Sequence, residues 1–131
     1  MNHVILVGRL ATDPILEETS TGKKRTCVNL AIPRSYRNAD GVYETDFIRI
    51  VLWNGMASNT KEDCHQGDMI GIQGRIKNRS YEVEPENKEE KPITKYITEV
   101  IAEKVSFISS KTSIPDDEDS NPLETNIINC Y

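Results

Sequence analysis

The sequence predicts an all-β domain: a five-stranded barrel with one short helix between strands 3 and 4, followed by an irregular acidic tail. Three observations carry this. Aliphatic residues alternate with other types at Val28, Leu30 and Ile32, at Ile48, Ile50 and Leu52, and at Ile70, Ile72 and Ile76. A strand sends successive side chains to opposite faces, so this period buries one face of each segment. Met56, Thr60 and Cys64 instead recur at a spacing of four, as on one face of a helix. Gly71 and Gly74 fall inside the long segment Met69–Val83, where glycine permits the bulge or sharp curl that closing a barrel needs.

Val4–Leu10 forms the first strand. Thr12-Asp13-Pro14 turns the chain, because Pro14 fixes φ and Asp13 can bond its own backbone. Ile15–Glu18 is a short strand at most, and Ser20-Thr21-Gly22-Lys23 is a turn. Arg25–Ile32 is the next strand, which Pro33 ends or places at an edge. The polar run Ser35–Glu44 reads as a mobile hairpin tip, and Thr45–Trp53 as a strand interrupted by Asn54-Gly55. A short helix, Met56–His65, is stopped by Gly67. Met69–Val83 follows, then a charged loop bounded by Pro85 and Pro92, then a last strand region, Ile93–Phe107. In the last strand Tyr96, Thr98, Val100 and Ala102 share one parity. Five strands with a helix between the third and fourth is the order of an OB-fold, a small, partly open barrel. The expected division is a domain over 1–108 and a disordered acidic tail over 109–131, where Ser, Thr, Pro, Asn and acids dominate and no periodicity survives.

The 131 residues suit one domain plus a tail, and a hydrophobic fraction of 37% is low for a fully packed chain. No run of about 18 apolar residues exists, so no membrane span is expected. Val4–Val7 is too short for a signal peptide and no small-residue cleavage site follows it, which leaves a cytoplasmic location as the expectation. Cys27, Cys64 and Cys130 form no Cys-x-x-Cys pair, and there are 2 histidines. Zinc ligation on familiar spacing and a disulfide framework are therefore not expected, and Cys27 reads as a small buried or interface hydrophobe. The net charge of −5 is unevenly placed: residues 1–84 hold 11 Lys/Arg against 11 Asp/Glu, and residues 85–131 hold 5 against 10. A neutral domain can still bind phosphates if its cations share a face.

That face is readable from parity. Phe47, Arg49 and Trp53 oppose Ile48, Ile50 and Leu52, and Arg75, Lys77, Arg79 and Tyr81 oppose Ile70, Ile72 and Ile76. Each segment should bury an aliphatic face and show rings and cations to water. Rings stack on bases and cations meet phosphates, and single-stranded nucleic acid offers both. Three cations in alternate positions repel one another unless a polyanion lies across them. Tyr43 and Tyr96 read as packing residues. No Ser/His/Asp context, phosphate-cradling glycine loop or acid pair in a plausible pocket appears, so the expectation is a binding protein, not an enzyme, with no metal or cofactor.

The chain resembles bacterial single-stranded DNA-binding proteins of the homotetrameric replication type. The matching segments are Val4-Ile5-Leu6-Val7-Gly8-Arg9-Leu10, Asp13-Pro14, Glu44-Thr45-Asp46-Phe47-Ile48, Val51-Leu52-Trp53, Gly74-Arg75-Ile76, Arg79-Ser80-Tyr81-Glu82 and Tyr96-Ile97-Thr98-Glu99-Val100. The resemblance spans residues 1 to about 108. It implies a tetramer that wraps single-stranded DNA without sequence readout, serving replication, recombination or repair at the nucleoid. By motif alignment the family's base-stacking positions fall on Tyr36, Phe47, Trp53 and Tyr81. Arg34 and Arg37 flank Tyr36 and support a contact there, and Arg49, Lys77 and Arg79 match basic positions.

Two departures remove lysines: Asn54-Gly55 stands where the family usually has Gly-Lys, and Gln66 precedes the glycine after the helix where it usually has Lys. The resemblance therefore implies weaker binding with a shallower salt dependence. The tail departs too. The family commonly ends in an acidic run closed by an Ile/Leu-Pro-Phe tip that docks on replication and repair proteins. Here Ile114-Pro115 precedes the acids Asp116–Asp119 and the chain ends Asn126-Ile127-Ile128-Asn129-Cys130-Tyr131. Acidic charge survives without the tip. Two other readings stay open from sequence: an RNA-binding OB module, and an adaptor deficient in DNA binding that acts through protein contacts.

Overall fold

A computed structural model describes residues 1–111. Its strands are β1 (Val4–Leu10), β2 (Ile15–Glu18), β3 (Lys24–Arg37), β4 (Tyr43–Trp53), β5 (Met69–Val83) and β6 (Ile93–Ser109), with helix α1 (Asn54–Asp63) between β4 and β5. They form one sheet in the order β1-β5-β6-β4-β3-β2, closed into a barrel by pairing of β1 with β3. Neighbouring strands are antiparallel except β4 and β6, which meet in parallel at Ile50↔Val100 and Val51↔Ile101. β1 and β2 both run along β3, through Leu10↔Leu30 and then Ile15↔Cys27. They act as one barrel strand broken at Thr12-Asp13-Pro14. Counted so, the architecture is the expected five-stranded barrel with its helix between the third and fourth strands.

The core is the set that alternation selects. Val28, Leu30, Ile50, Leu52, Ile70 and Ile72 are buried, and Ile48 and Ile32 pack against them. Burying one such side chain stabilises by about 1.5–3 kcal/mol. Ile76 departs from this set: it is 48% exposed. By that point the β5–β6 hairpin has run past the barrel, so its inward parity faces no opposite wall. Helix α1 adds Ala57 and Thr60 to the interior, with Met56 half-buried, and Cys64 just after it is buried too.

Two glycines allow close strand approach. A Cβ on Gly8 would lie 2.5 Å from the Ala31 carbonyl oxygen, where β1 closes on β3. One on Gly74 would lie 2.2 Å from the Ile101 carbonyl oxygen, where β5 shifts register against β6 between Gln73 and Gly74. The bulge that the glycines of this segment suggested falls there.

Local boundaries differ from the sequence reading, and the helix starts at Asn54 rather than Met56, so Asn54-Gly55 is its first turn and not an interruption. Pro33 takes the second of its two readings, an edge position, and does not end its strand. It lies within β3 opposite Thr45, beyond Ala31, the last residue paired to β1, so its missing N–H interrupts no ladder on that side. The 35–44 segment is correspondingly shorter as a hairpin, with Tyr36 and Arg37 in the strand. Gly67 is not the helix stop. The helix ends at Asp63 with Cys64 as C-cap, and Gly67, at φ 91°, turns the chain into β5 while donating its N–H to the Leu10 carbonyl. Cys27 is half-buried on β3, in keeping with a small, partly covered residue, and Cys64 is free and buried. The expected acidic tail lies outside the described residues from 112 onward, and Ser109 belongs to β6.

Candidate nucleic-acid interface

Register decides which side chains share a surface. Trp53, Val51, Arg49 and Phe47 on β4 stand opposite Arg25, Cys27, Asn29 and Ala31 on β3. Val51 is paired to Ile101 on β6. Along β6, Ile101, Glu99, Ile97 and Lys95 stand opposite Arg75, Lys77, Arg79 and Tyr81 on β5. Directly opposed residues point to the same face. The seven residues selected by parity therefore share one face of the sheet across β4, β6 and β5: Phe47, Arg49, Trp53 and Arg75 lie on the barrel, and Lys77, Arg79 and Tyr81 continue the face along the β5–β6 hairpin past its wall.

Each position has its own setting. Phe47 is 50% exposed, and Tyr81 is exposed further along the face. Trp53 is half-buried at the end of β4, with the Arg25 guanidinium carbon 5.7 Å from its ring centroid. Arg25 also meets Glu17 at 3.4 Å. Arg75 lies 3.7 Å from Glu103 in an exposed pair, and Lys77 is exposed. Arg79 donates from Nε to Glu99 Oε1 at 3.2 Å, and Arg49 Nε lies 3.9 Å from Glu99 Oε2. Burial pushes the Arg49 guanidinium below its ordinary value, against the pull of Glu99 and with the push of Arg79 and Arg25.

Tyr36, Arg34 and Arg37 form a separate group at the far end of β3 and β4. Tyr36 is well exposed. Arg34 is held by two carboxylates: Nη2 and Nε donate to Asp46 Oδ1 at 2.9 and 3.1 Å, and Nη1 donates to Glu44. The hydrogen bond to Asp46 raises the Arg34 guanidinium above its usual range, and Arg34 holds the Asp46 carboxyl below its own. This cluster nets one negative charge, so Arg34 is poorly placed to attract phosphate by itself. Arg37 covers the ring of Tyr43, 5.2 Å from its centroid.

The reading of Tyr43 and Tyr96 as packing residues does not hold: they are 54% and 72% exposed. Tyr43 sits at the tip end of β4, and Tyr96 on the part of β6 that extends beyond the barrel wall. Sequence reasoning also passed over Glu99. It is buried at 6% exposure in the middle of the ring-and-cation face. The parity that placed Tyr96, Thr98 and Val100 together was the available signal, since it puts Glu99 on the opposite face. Among the described residues, no group of His, Cys, Asp and Glu is placed to hold a metal ion, and no helix is long and apolar enough to cross a membrane.

Comparison with known proteins agrees with this geometry. Residues 1–108 match the model of the single-strand binding protein family. The chain belongs to that family. Among curated relatives, it is 43% identical over 110 residues to single-stranded DNA-binding protein B of Bacillus subtilis (strain 168), covering 84% of this chain and 92% of the relative. It is 39% identical over 113 residues to single-stranded DNA-binding protein 1 of Staphylococcus aureus (strain Mu50), covering 86% and 69% respectively. It is 37% identical over 131 residues to single-stranded DNA-binding protein 3 of Listeria innocua, covering 98% and 78%. For this member of the single-strand binding protein family, the matched span ends with the barrel and takes in every element of the outer face.

Proposed function

We propose that this protein binds and protects single-stranded DNA without reading its sequence, through the outer face of β4, β6 and β5. The observation that carries the proposal is the shared register of Phe47, Arg49 and Trp53 with Arg75, Lys77, Arg79 and Tyr81. Rings presented to solvent stack on bases of any identity, and neighbouring cations displace counterions from phosphates. The face offers planar and cationic contacts, which suits a flexible strand. Membership in the family and the names of its relatives support single-stranded DNA as the polymer. Tyr36, Arg34 and Arg37 extend the path in this reading, with Tyr36 as a fourth ring.

The mechanism is passive. A bound strand cannot re-pair and is shielded from cleavage, a role suited to replication, recombination and repair in the cytoplasm at the nucleoid. A homotetramer fits the same reading: Ile5 and Val7 are exposed on the outward parity of β1, an apolar strand surface that a second copy would cover.

The test is gel retardation of labelled dT, U and duplex oligomers of equal length at low salt. Retardation of dT at concentrations where the duplex runs free supports the proposal. Preference for U would replace DNA with RNA, and failure to shift any oligomer would favour an adaptor role.

A further inference from the structure

The outer face contains its own counterion. Glu99 stands in register with Lys77 and next to Arg49 through the parallel pairing of β4 with β6, and Arg79 reaches it diagonally. Its carboxylate is buried, yet only Oε1 is hydrogen-bonded: Oε2 and the Arg49 Nε atom lie 3.9 Å apart, both buried and both without a hydrogen-bond partner. A buried charge retained with incomplete pairing costs stability unless something completes it. Glu99 relieves the repulsion between Arg49 and Arg79 in the free protein, and it also subtracts one charge where a phosphate must sit. Arg49, Arg79 and Glu99 together net one positive charge, against one negative charge at Arg34, Asp46 and Glu44.

We infer that Glu99 is a positioning residue that sets the strength and salt dependence of strand binding. It holds Arg49 and Arg79 as a presented pair and competes with the incoming phosphate for them. Arg49 makes no hydrogen bond to Glu99 and so can turn to a phosphate oxygen without giving one up to that carboxylate; Arg79 must share or exchange its bond to Oε1. Affinity is thereby held below what the same cations would give alone. This inference rests on the proposed binding of single-stranded DNA.

The test compares Glu99→Gln and Glu99→Asp with the wild-type protein, measuring oligo(dT) affinity across a salt series and melting temperature. Glu99→Gln keeps an acceptor for Arg79 but removes the charge. It is expected to melt lower, to bind about three- to tenfold tighter at low salt, and to steepen the slope of log K against log salt by about 0.7, one additional neutralised phosphate on a single strand. Glu99→Asp keeps the charge and should retain the wild-type slope. An unchanged or shallower slope in Glu99→Gln, or equal slopes in the two variants, overturns the inference. If Glu99→Gln does not fold, the wild-type protein decides: the arginine Nε–Hε NMR signals of Arg49 and Arg79 must both move on saturation with oligo(dT), and still signals overturn it. Absence of wild-type binding would instead overturn the functional reading beneath it.

Discussion

Arg25 lies across the indole of Trp53, its guanidinium carbon 5.7 Å from the ring centroid, because β3 and β4 set the two residues directly opposite each other. The ring thus has one flank covered by a cation and remains half-buried. A base stacking on the indole would meet a ring already held in place, at small entropic cost. Trp53→Ala should weaken oligo(dT) binding by about 1–3 kcal/mol, roughly five- to 150-fold, in a fluorescence-anisotropy titration with labelled oligonucleotide. Trp53→Phe should recover most of the loss. Unaltered affinity in Trp53→Ala would remove this residue from the interface.

The two lost lysines can be restored without strain. Gly55 sits in the first turn of α1, with open space where a Cβ would stand and no positive φ, and Gln66 is exposed. Gly55→Lys and Gln66→Lys should each steepen the salt slope by about 0.7 if a phosphate passes there, and Gly55→Lys should also raise helix stability by about 0.5–1 kcal/mol. Salt titrations of both variants check this. Slopes unchanged in both would place the strand away from the helix end of the face.

The β5–β6 bulge at Gly74 should tolerate no side chain. Gly74→Ala drives a methyl into the Ile101 backbone oxygen at 2.2 Å, and should destabilise the fold by about 1–3 kcal/mol or more, by the ordinary cost of overpacking. Gly71→Ala, whose nearest neighbour is 3.6 Å away, should change stability little. Urea unfolding of the two variants separates them.

Acid should loosen the pair formed by Arg34 and Asp46. The Asp46 carboxyl is held below its ordinary value by its hydrogen bond from Arg34. A depressed folded-state pKa stabilises the native state above the unfolded value, about 3.9, and that contribution is lost as pH falls through the lower folded value. Asp46→Asn should therefore melt lower than wild type at neutral pH, with the two melting curves converging below about pH 4. Melting temperatures recorded from pH 7 down to pH 3 test the convergence.

Much of the barrel was legible because a two-residue period reports burial directly. Ile50, Leu52, Ile70 and Ile72 are all core, and the strand limits Val4–Leu10, Ile15–Glu18 and Met69–Val83 follow from turn residues flanking each run. Parity also placed Phe47, Arg49, Trp53, Arg75, Lys77, Arg79 and Tyr81 on one face, because register preserves parity across paired strands. What escaped depended on tertiary reach. Ile76 obeys the alternation but has no wall opposite it. Pro33 proved to be the edge case of its two readings, strand end or edge, and a sequence does not decide between them because it does not show where β1 stops pairing. The carboxylates of Glu44 and Asp46 that hold Arg34 come from the next strand, so its pairing could not be read beside it in the sequence. Glu99 carried the right parity, but an acid among cations is easily read as solvated surface until its burial is known.

The central claim is that the outer face captures single strands by stacking and counterion exchange together. Trp53 is the sole tryptophan, so its emission reports that face alone. A titration of this emission with oligo(dT) at two salt concentrations tests the claim most directly. The account predicts saturable quenching at both concentrations, with affinity falling as salt rises. Emission that stays constant at saturating oligonucleotide, or binding indifferent to salt, would contradict it.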